Sequence, residues 1–127
     1  MKKIVSIFLV LMLASSTAFG ATQPGYKQST KLLTSVSTVS TGDAYVFPMG
    51  AGLRTHQAVL EGASATDATV IVSGSNDGVN WIPMGTLILT TATKTNGFVS
   101  QAPWIFERAQ VTSISGTGAA VTLIVGD

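Results

Sequence analysis

The segment that decides the fold is TVIVSGSNDGVNWIPMGTLILTT, residues 69–91. Val70 and Val72 alternate with Thr and Ile in its first part, and Leu87 and Leu89 alternate with Thr and Ile in its second part. Side chains alternate across a β-strand, so each part predicts a strand with one buried and one wetter face. The Ser, Gly, Asn and Asp between them are typical of turns. The segment therefore predicts a β-hairpin.

Similar short runs lie on both sides of this hairpin. They are a first strand near Lys31–Val36, an apolar piece at Tyr45–Pro48, and strands at Leu53–Leu60, Trp104–Ile114 and Ala119–Val125. Turn-forming clusters separate them at residues 62–67, 91–97 and 115–118, and no convincing amphipathic helix is present. Such spacing predicts an all-β domain, a single antiparallel β-sandwich of jelly-roll-like type, assigned to residues 41–127.

Glu107 is the one charged residue that this pattern places on a buried face. Period-2 alternation puts it on one face with Ile105, Ala109 and Val111. A buried carboxylate needs a partner, and the sequence offers Arg54 or Arg108. If neither pairs with it, the predicted facing of this strand is wrong.

The N-terminus has the order of features of an export signal. Lys2 and Lys3 precede the apolar run Ile4–Ala14, and Ala18 and Gly20 are the small residues at the −3 and −1 positions of a cleavage site. The apolar run is shorter than the roughly 20 residues that span a bilayer. We therefore interpret residues 1–20 as a signal-peptide-like segment, with membrane contact only through these residues if it is uncleaved. Residues 21–40, rich in Ser and Thr, are expected to form an extended arm or linker.

Composition argues against several functional classes. Without Lys2 and Lys3, the 7 basic residues become 5 against 6 acidic residues, so removing 20 of 127 residues leaves 107 with a net charge of −1. No basic cluster indicates nucleic-acid binding. The chain has no cysteine, which excludes disulfides and thiolate metal sites. We expect one small domain with no cofactor and no metal.

No catalytic set is visible. His56 is the only histidine, and nothing in the spacing marks a serine or carboxylate as its partner. The turn containing Asp77 and Gly78 carries one carboxylate, whereas Ca²⁺ usually takes six or more oxygen ligands. We therefore expect a structural hairpin turn and no enzyme.

Three aromatic side chains are the remaining candidate contact residues. Trp81, Trp104 and Phe106 either supply apolar area to the core or a subunit interface, or stack on sugar rings if they are exposed. Burial is the commoner case in a small core. The sequence leaves both interpretations open.

Residues 69–127 resemble small β-sandwich structural proteins of tailed bacteriophages and prophages, which look like virion or decoration proteins. The resemblance rests on the order of four elements: the S-N-D-G-x-N-W turn, the N-G-F element, the A-P-W strand opening and the I-S-G-T-G hairpin. Here they fall on Ser75–Trp81, Asn96–Phe98, Ala102–Trp104 and Ile114–Gly118. The chain departs from that pattern at residues 105–107.

The resemblance implies a phage-encoded structural protein, a repeated virion or surface decoration subunit that acts by protein–protein contact. Its expected partners are other virion or surface proteins, with homo-oligomers among them. It would reside in the virion, or in the periplasm or on the cell surface if the signal is cleaved. The alternative is a secreted carbohydrate-binding module or adhesin, because residues 75–81 also resemble the corresponding turn of discoidin-type jelly rolls.

Overall fold

The computed structural model describes residues 29–47, 52–101 and 103–126, and in these ranges the chain forms nine β-strands and no helix. The strands are β1 Ser29–Val36, β2 Ser40–Thr41, β3 Tyr45–Val46, β4 Arg54–Glu61, β5 Asp67–Ser75, β6 Ile82–Thr90, β7 Thr95–Ser100, β8 Phe106–Ser115 and β9 Ala120–Gly126. The predicted signal-like segment and residues 21–28 of the predicted arm lie outside the described residues.

The strands form two antiparallel sheets packed face to face. The first sheet has the order β1-β9-β4-β7, and the second has the order β2-β8-β5-β6, with β3 also paired to β8. If β2 and β3 are counted as one interrupted strand, each sheet has four strands, and most connections pass from one sheet to the other. This is the strand order of a jelly roll. The prediction of a jelly-roll-like β-sandwich is confirmed.

The core lies between the sheets and follows the predicted alternation. The alternating apolar side chains of β5, β6 and β9 are all buried: Val70, Val72, Leu87, Leu89, Val121, Leu123 and Val125. The intervening side chains face outward, and Thr86, Ile88 and Thr90 are exposed. The period-2 pattern therefore decides which face of each strand meets the other sheet.

The boundaries differ from the sequence-based division in two places. Strand β1 starts at Ser29 and pairs with β9 in the first sheet, so residues assigned to the arm contribute to the sandwich. Residues 95–97 were expected in a turn, but they begin β7 and pair with β4. The turn-like Asn96-Gly97 pair is extended because it pairs with β4, and next to it Phe98 stacks on His56 with ring centroids 4.5 Å apart. Tertiary packing outweighs local propensity here.

Three of the four free edges of the sheets, at β6, at β1 and at β2 with β3, carry features that hinder pairing with another strand. In β6, Pro83 lacks a backbone donor, and the register with β5 shifts beside it. Further along β6, the Asn96 side chain of β7 donates from Nδ2 to the Ile88 carbonyl at 3.1 Å, while its Oδ1 accepts from Gly97 N–H at 2.8 Å. Strand β1 has two register shifts, and β2 and β3 have two residues each. Short, bulged or capped edges are how natural sheets avoid unwanted pairing.

Candidate functional site

The connection between β5 and β6 folds back over the outer face of the second sheet. Gly78 adopts a φ of 72°, a conformation that favours glycine. Asp77 closes the turn, because its Oδ1 accepts from the backbone N–H groups of Val79 and Asn80 at 2.8 and 2.7 Å. Its Oδ2 accepts from Asn80 Nδ2 at 2.7 Å, and Ser75 Oγ donates to Oδ1 at 2.9 Å.

These hydrogen bonds also fix the charge of the turn. The Asn80 side chain, the backbone N–H groups of Asn80 and Val79, and the Ser75 hydroxyl hold the pKa of the Asp77 carboxyl well below its usual range. Asp77 is exposed, so it presents a permanent negative charge at the surface. The turn is complete without any added ion.

Two side chains of β8 lie under this turn. Phe106 and Arg108 alternate with the buried Glu107 and Ala109, so they face away from the core. The Phe106 ring lies beneath Gly78, where a Cβ would be 3.7 Å from its atoms. The Arg108 guanidinium lies over the Trp81 ring, 4.1 Å from its centroid. This is the geometry of a cation–π contact.

Apolar side chains extend this cluster into a surface. Val46 is directly opposite Phe106 in the β3–β8 pair, and residues paired in this way share a face of the sheet. Val79, next to Gly78, is 76% exposed, and Val46 is 56% exposed. We call the resulting surface the aromatic patch, and it consists of Val46, Val79, Trp81, Phe106 and Arg108. Aromatic residues and arginine are the types enriched where proteins bind each other.

Trp104 does not belong to this patch. Gly74 is buried on the core-facing side of β5, and a Cβ there would lie 2.3 Å from the Trp104 ring. Trp104 thus covers one end of the core, half-buried, on the opposite side of the sheet from Trp81 and Phe106. The structure therefore brings together Trp81, Phe106, Asp77 and Gly78, and separates Trp104 from them.

A second cluster, fully buried, connects the two sheets. Glu107 of β8 has 0% exposure, and its Oε1 accepts from Arg54 Nη1 of β4 at 2.7 Å. The same Nη1 donates to the Trp104 carbonyl at 2.9 Å, and the Arg54 guanidinium lies 4.1 Å from the Phe47 ring centroid. The predicted facing of Glu107 is confirmed, and Arg54 is its partner.

His56 completes this buried network. Its Nε2 lies 2.8 Å from Glu107 Oε2, so the two atoms are within hydrogen-bonding distance. Nδ1 is buried without a hydrogen-bond partner, as is Arg54 Nε. We name Arg54, His56 and Glu107 the inter-sheet network.

Within the described ranges, no group of three or more His, Cys, Asp or Glu side chains could hold a metal ion. No helix long and apolar enough to cross a membrane occurs in the same ranges.

The side chains of the aromatic patch that sequence reasoning missed are Val46, Val79 and Arg108. They are far apart along the chain, and only Arg108 was considered, as a partner of Glu107.

The fold is similar to the crystal structure of the SPBc2 prophage-derived protein YomS. The two chains align with a TM-score of 0.55 and 15% sequence identity, over 80% of this chain and 93% of that one. No protein-family model matches the chain, and no curated protein matches its sequence. At this sequence identity the similarity establishes a shared fold and nothing more. The alignment covers nearly all of the prophage-derived chain.

Proposed function

We propose that this chain is a phage-encoded, non-enzymatic structural protein, a repeated virion or surface decoration subunit that binds other proteins through the aromatic patch. The observation that carries the proposal is the patch itself. The Arg108 guanidinium lies over the Trp81 ring, the Phe106 ring lies beneath Gly78 of the turn, and two valines of the patch are exposed. Preorganised aromatic and arginine side chains with an apolar surround are typical of binding hot spots.

The fold and the comparison support the same assignment. Jelly rolls recur in viral capsid proteins and in lectins, although a fold by itself does not define a function. The similar protein YomS is prophage-derived. The protected strand edges favour contact through side chains over the addition of strands from a neighbour. On this proposal the chain resides in the virion, or in the periplasm or at the cell surface if residues 1–20 are removed.

The proposal is tested on phage particles. Mass spectrometry of purified particles should find this chain at a stoichiometry of many copies, and its N-terminal residue will show whether residues 1–20 remain. Val79→Asp should prevent incorporation, because it places a charge in the aromatic patch. Val99→Asp is the matched control, since Val99 is also an exposed valine, 59% accessible, but lies on β7 of the first sheet. Absence of the chain from purified particles would refute the structural role.

A glycan-binding module is the second candidate, because Trp81 is half-exposed beside the polar Asp77 and Asn80. Sugars stack on an open aromatic face, but Arg108 already covers one face of this indole. This occupation favours a protein partner. Binding to immobilised glycans that is lost in Trp81→Ala, together with absence from particles, would favour the glycan-binding alternative.

A further inference from the structure

The aromatic patch carries one positive charge, Arg108, and the turn beside it carries one negative charge, Asp77, and the two are not paired with each other. Arg108 lies over Trp81, and Asp77 is bound to Asn80, the residue before Trp81. Among the described residues, however, the only ion pairs within 4.0 Å are those of Glu107 with Arg54 and His56. Arg108 therefore lies on the indole, and Asp77 lies in the turn that leads to it. Neither charge has an ion-pair partner among these residues, and Asp77 Oδ2 accepts a single hydrogen bond.

We infer that two copies of this chain pair through the aromatic patch around a two-fold axis, with Arg108 of each copy facing Asp77 of the other. This inference rests on the proposed role of the patch in protein contact and names its partner. A two-fold interface uses the same surface of both subunits, so that surface must be complementary to itself. A patch with one cation and one anion beside an apolar centre meets this requirement.

The chemistry of the two charged groups suits such a pairing. The Arg108 guanidinium lies over the indole and carries several N–H donors, and Asp77 Oδ2 accepts only one hydrogen bond within its own turn. The Asp77 carboxylate stays ionised because its own turn stabilises the charged form. Val46 and Val79 would then be covered by the second copy, which removes the most exposed apolar side chains of the patch from water.

The experiment measures self-association of the full chain by light scattering and analytical ultracentrifugation, at concentrations up to about 0.5 mM so that weak dimers are populated. Two variants alter the charge of the patch in opposite directions. Arg108→Glu leaves Asp77 and a second carboxylate, whereas Val79→Lys adds a second cation to the aromatic patch. Each should weaken its own dimer at least about tenfold, because like charges then face each other.

Mixing the two variants is the decisive step. A heterodimer of Arg108→Glu with Val79→Lys brings opposite charges together, so the mixture should dimerise when neither variant does alone. Lys31→Glu is the matched control, because it makes the same change of charge on an exposed residue of β1 and should leave the dimer intact. Arg108→Gln, which removes the charge with little change in size, serves if Arg108→Glu lowers the thermal stability.

Three results would overturn the inference. They are a wild-type chain that stays monomeric at the highest concentration, a dimer that is unaffected by Arg108→Glu, and a mixture that fails to associate. Failure of the dimer inference can be told apart from failure of the proposed function. If the wild type is monomeric but the Val79→Asp variant is still excluded from particles, the inference fails, and the structural role remains with another protein as partner.

Discussion

The inter-sheet network makes a strong prediction about stability. In Glu107→Gln the shape of the side chain is kept, but Arg54 loses its counter-charge at a position where it is only 2% exposed. Removing one partner of a buried ion pair typically costs about 3–5 kcal/mol, because the remaining charge stays buried. For a domain of this size, that loss lowers the melting temperature by roughly 15–30 °C. The hydrogen bond from His56 is weakened in the same variant.

The assay is urea unfolding followed by tryptophan fluorescence, with the free energy of unfolding extrapolated to water and an m-value equal to that of the wild type. Glu61→Gln is the surface control, since Glu61 is an exposed glutamate on β4, and its effect should stay within about 0.5 kcal/mol. The triple variant Arg54→Met, His56→Leu, Glu107→Leu carries no buried charge. Its stability should return to within about 2 kcal/mol of the wild type or exceed it. A loss below about 1 kcal/mol in Glu107→Gln would refute this reasoning.

Three further predictions concern the second sheet and its turn. Gly74→Ala should destabilise by about 1–3 kcal/mol and shift the tryptophan emission, because the new methyl group meets the Trp104 ring, whereas Gly52→Ala, with no neighbour within 4 Å, should do neither. A double-mutant cycle of Trp81→Ala and Arg108→Ala should give a coupling of about 0.5–1 kcal/mol, and a coupling of zero would mean that the cation–π contact does not form in solution. Because the pKa of Asp77 is lower in the folded state, its carboxylate stabilises the fold at pH values above the ordinary pKa of aspartate. This contribution is lost as the pH falls through the ordinary pKa and towards the lower pKa of the folded state. The free energy of unfolding of wild type and Asp77→Asn should therefore differ less at pH 2 than at pH 6. An equal difference at the two pH values would contradict the depressed pKa of Asp77.

The fold was largely predictable because it depends on alternation. Val70 and Val72, or Leu87 and Leu89, report the buried face of a strand without knowledge of its neighbours. The same rule placed Glu107 in the interior, although the sequence left both Arg54 and Arg108 as partners. Which arginine pairs with Glu107 depends on how β4 packs against β8, and this brings together residues 53 positions apart in the chain.

The aromatic patch was only partly predictable. Trp81, Phe106 and the Asp77-Gly78 turn were candidate residues. The local sequence pattern does not indicate, however, that the turn folds onto β8. Trp104 was placed in the same group, because its chemistry is the same and only the core-facing position of Gly74 distinguishes it. Strand β7 escaped prediction for a related reason, since Asn96-Gly97 has turn-like composition and is extended only by pairing with β4.

The side chain of Asn96 also has a consequence for colloidal behaviour. Residues 85–90 of β6, GTLILT, have high β-propensity, no charge and no proline, which are the properties of segments that nucleate amyloid-like fibrils when their edge is open. The Asn96 amide occupies the Ile88 carbonyl at this edge. A single side chain thereby protects part of this edge, and we expect its loss to appear first as precipitation of a still-folded chain.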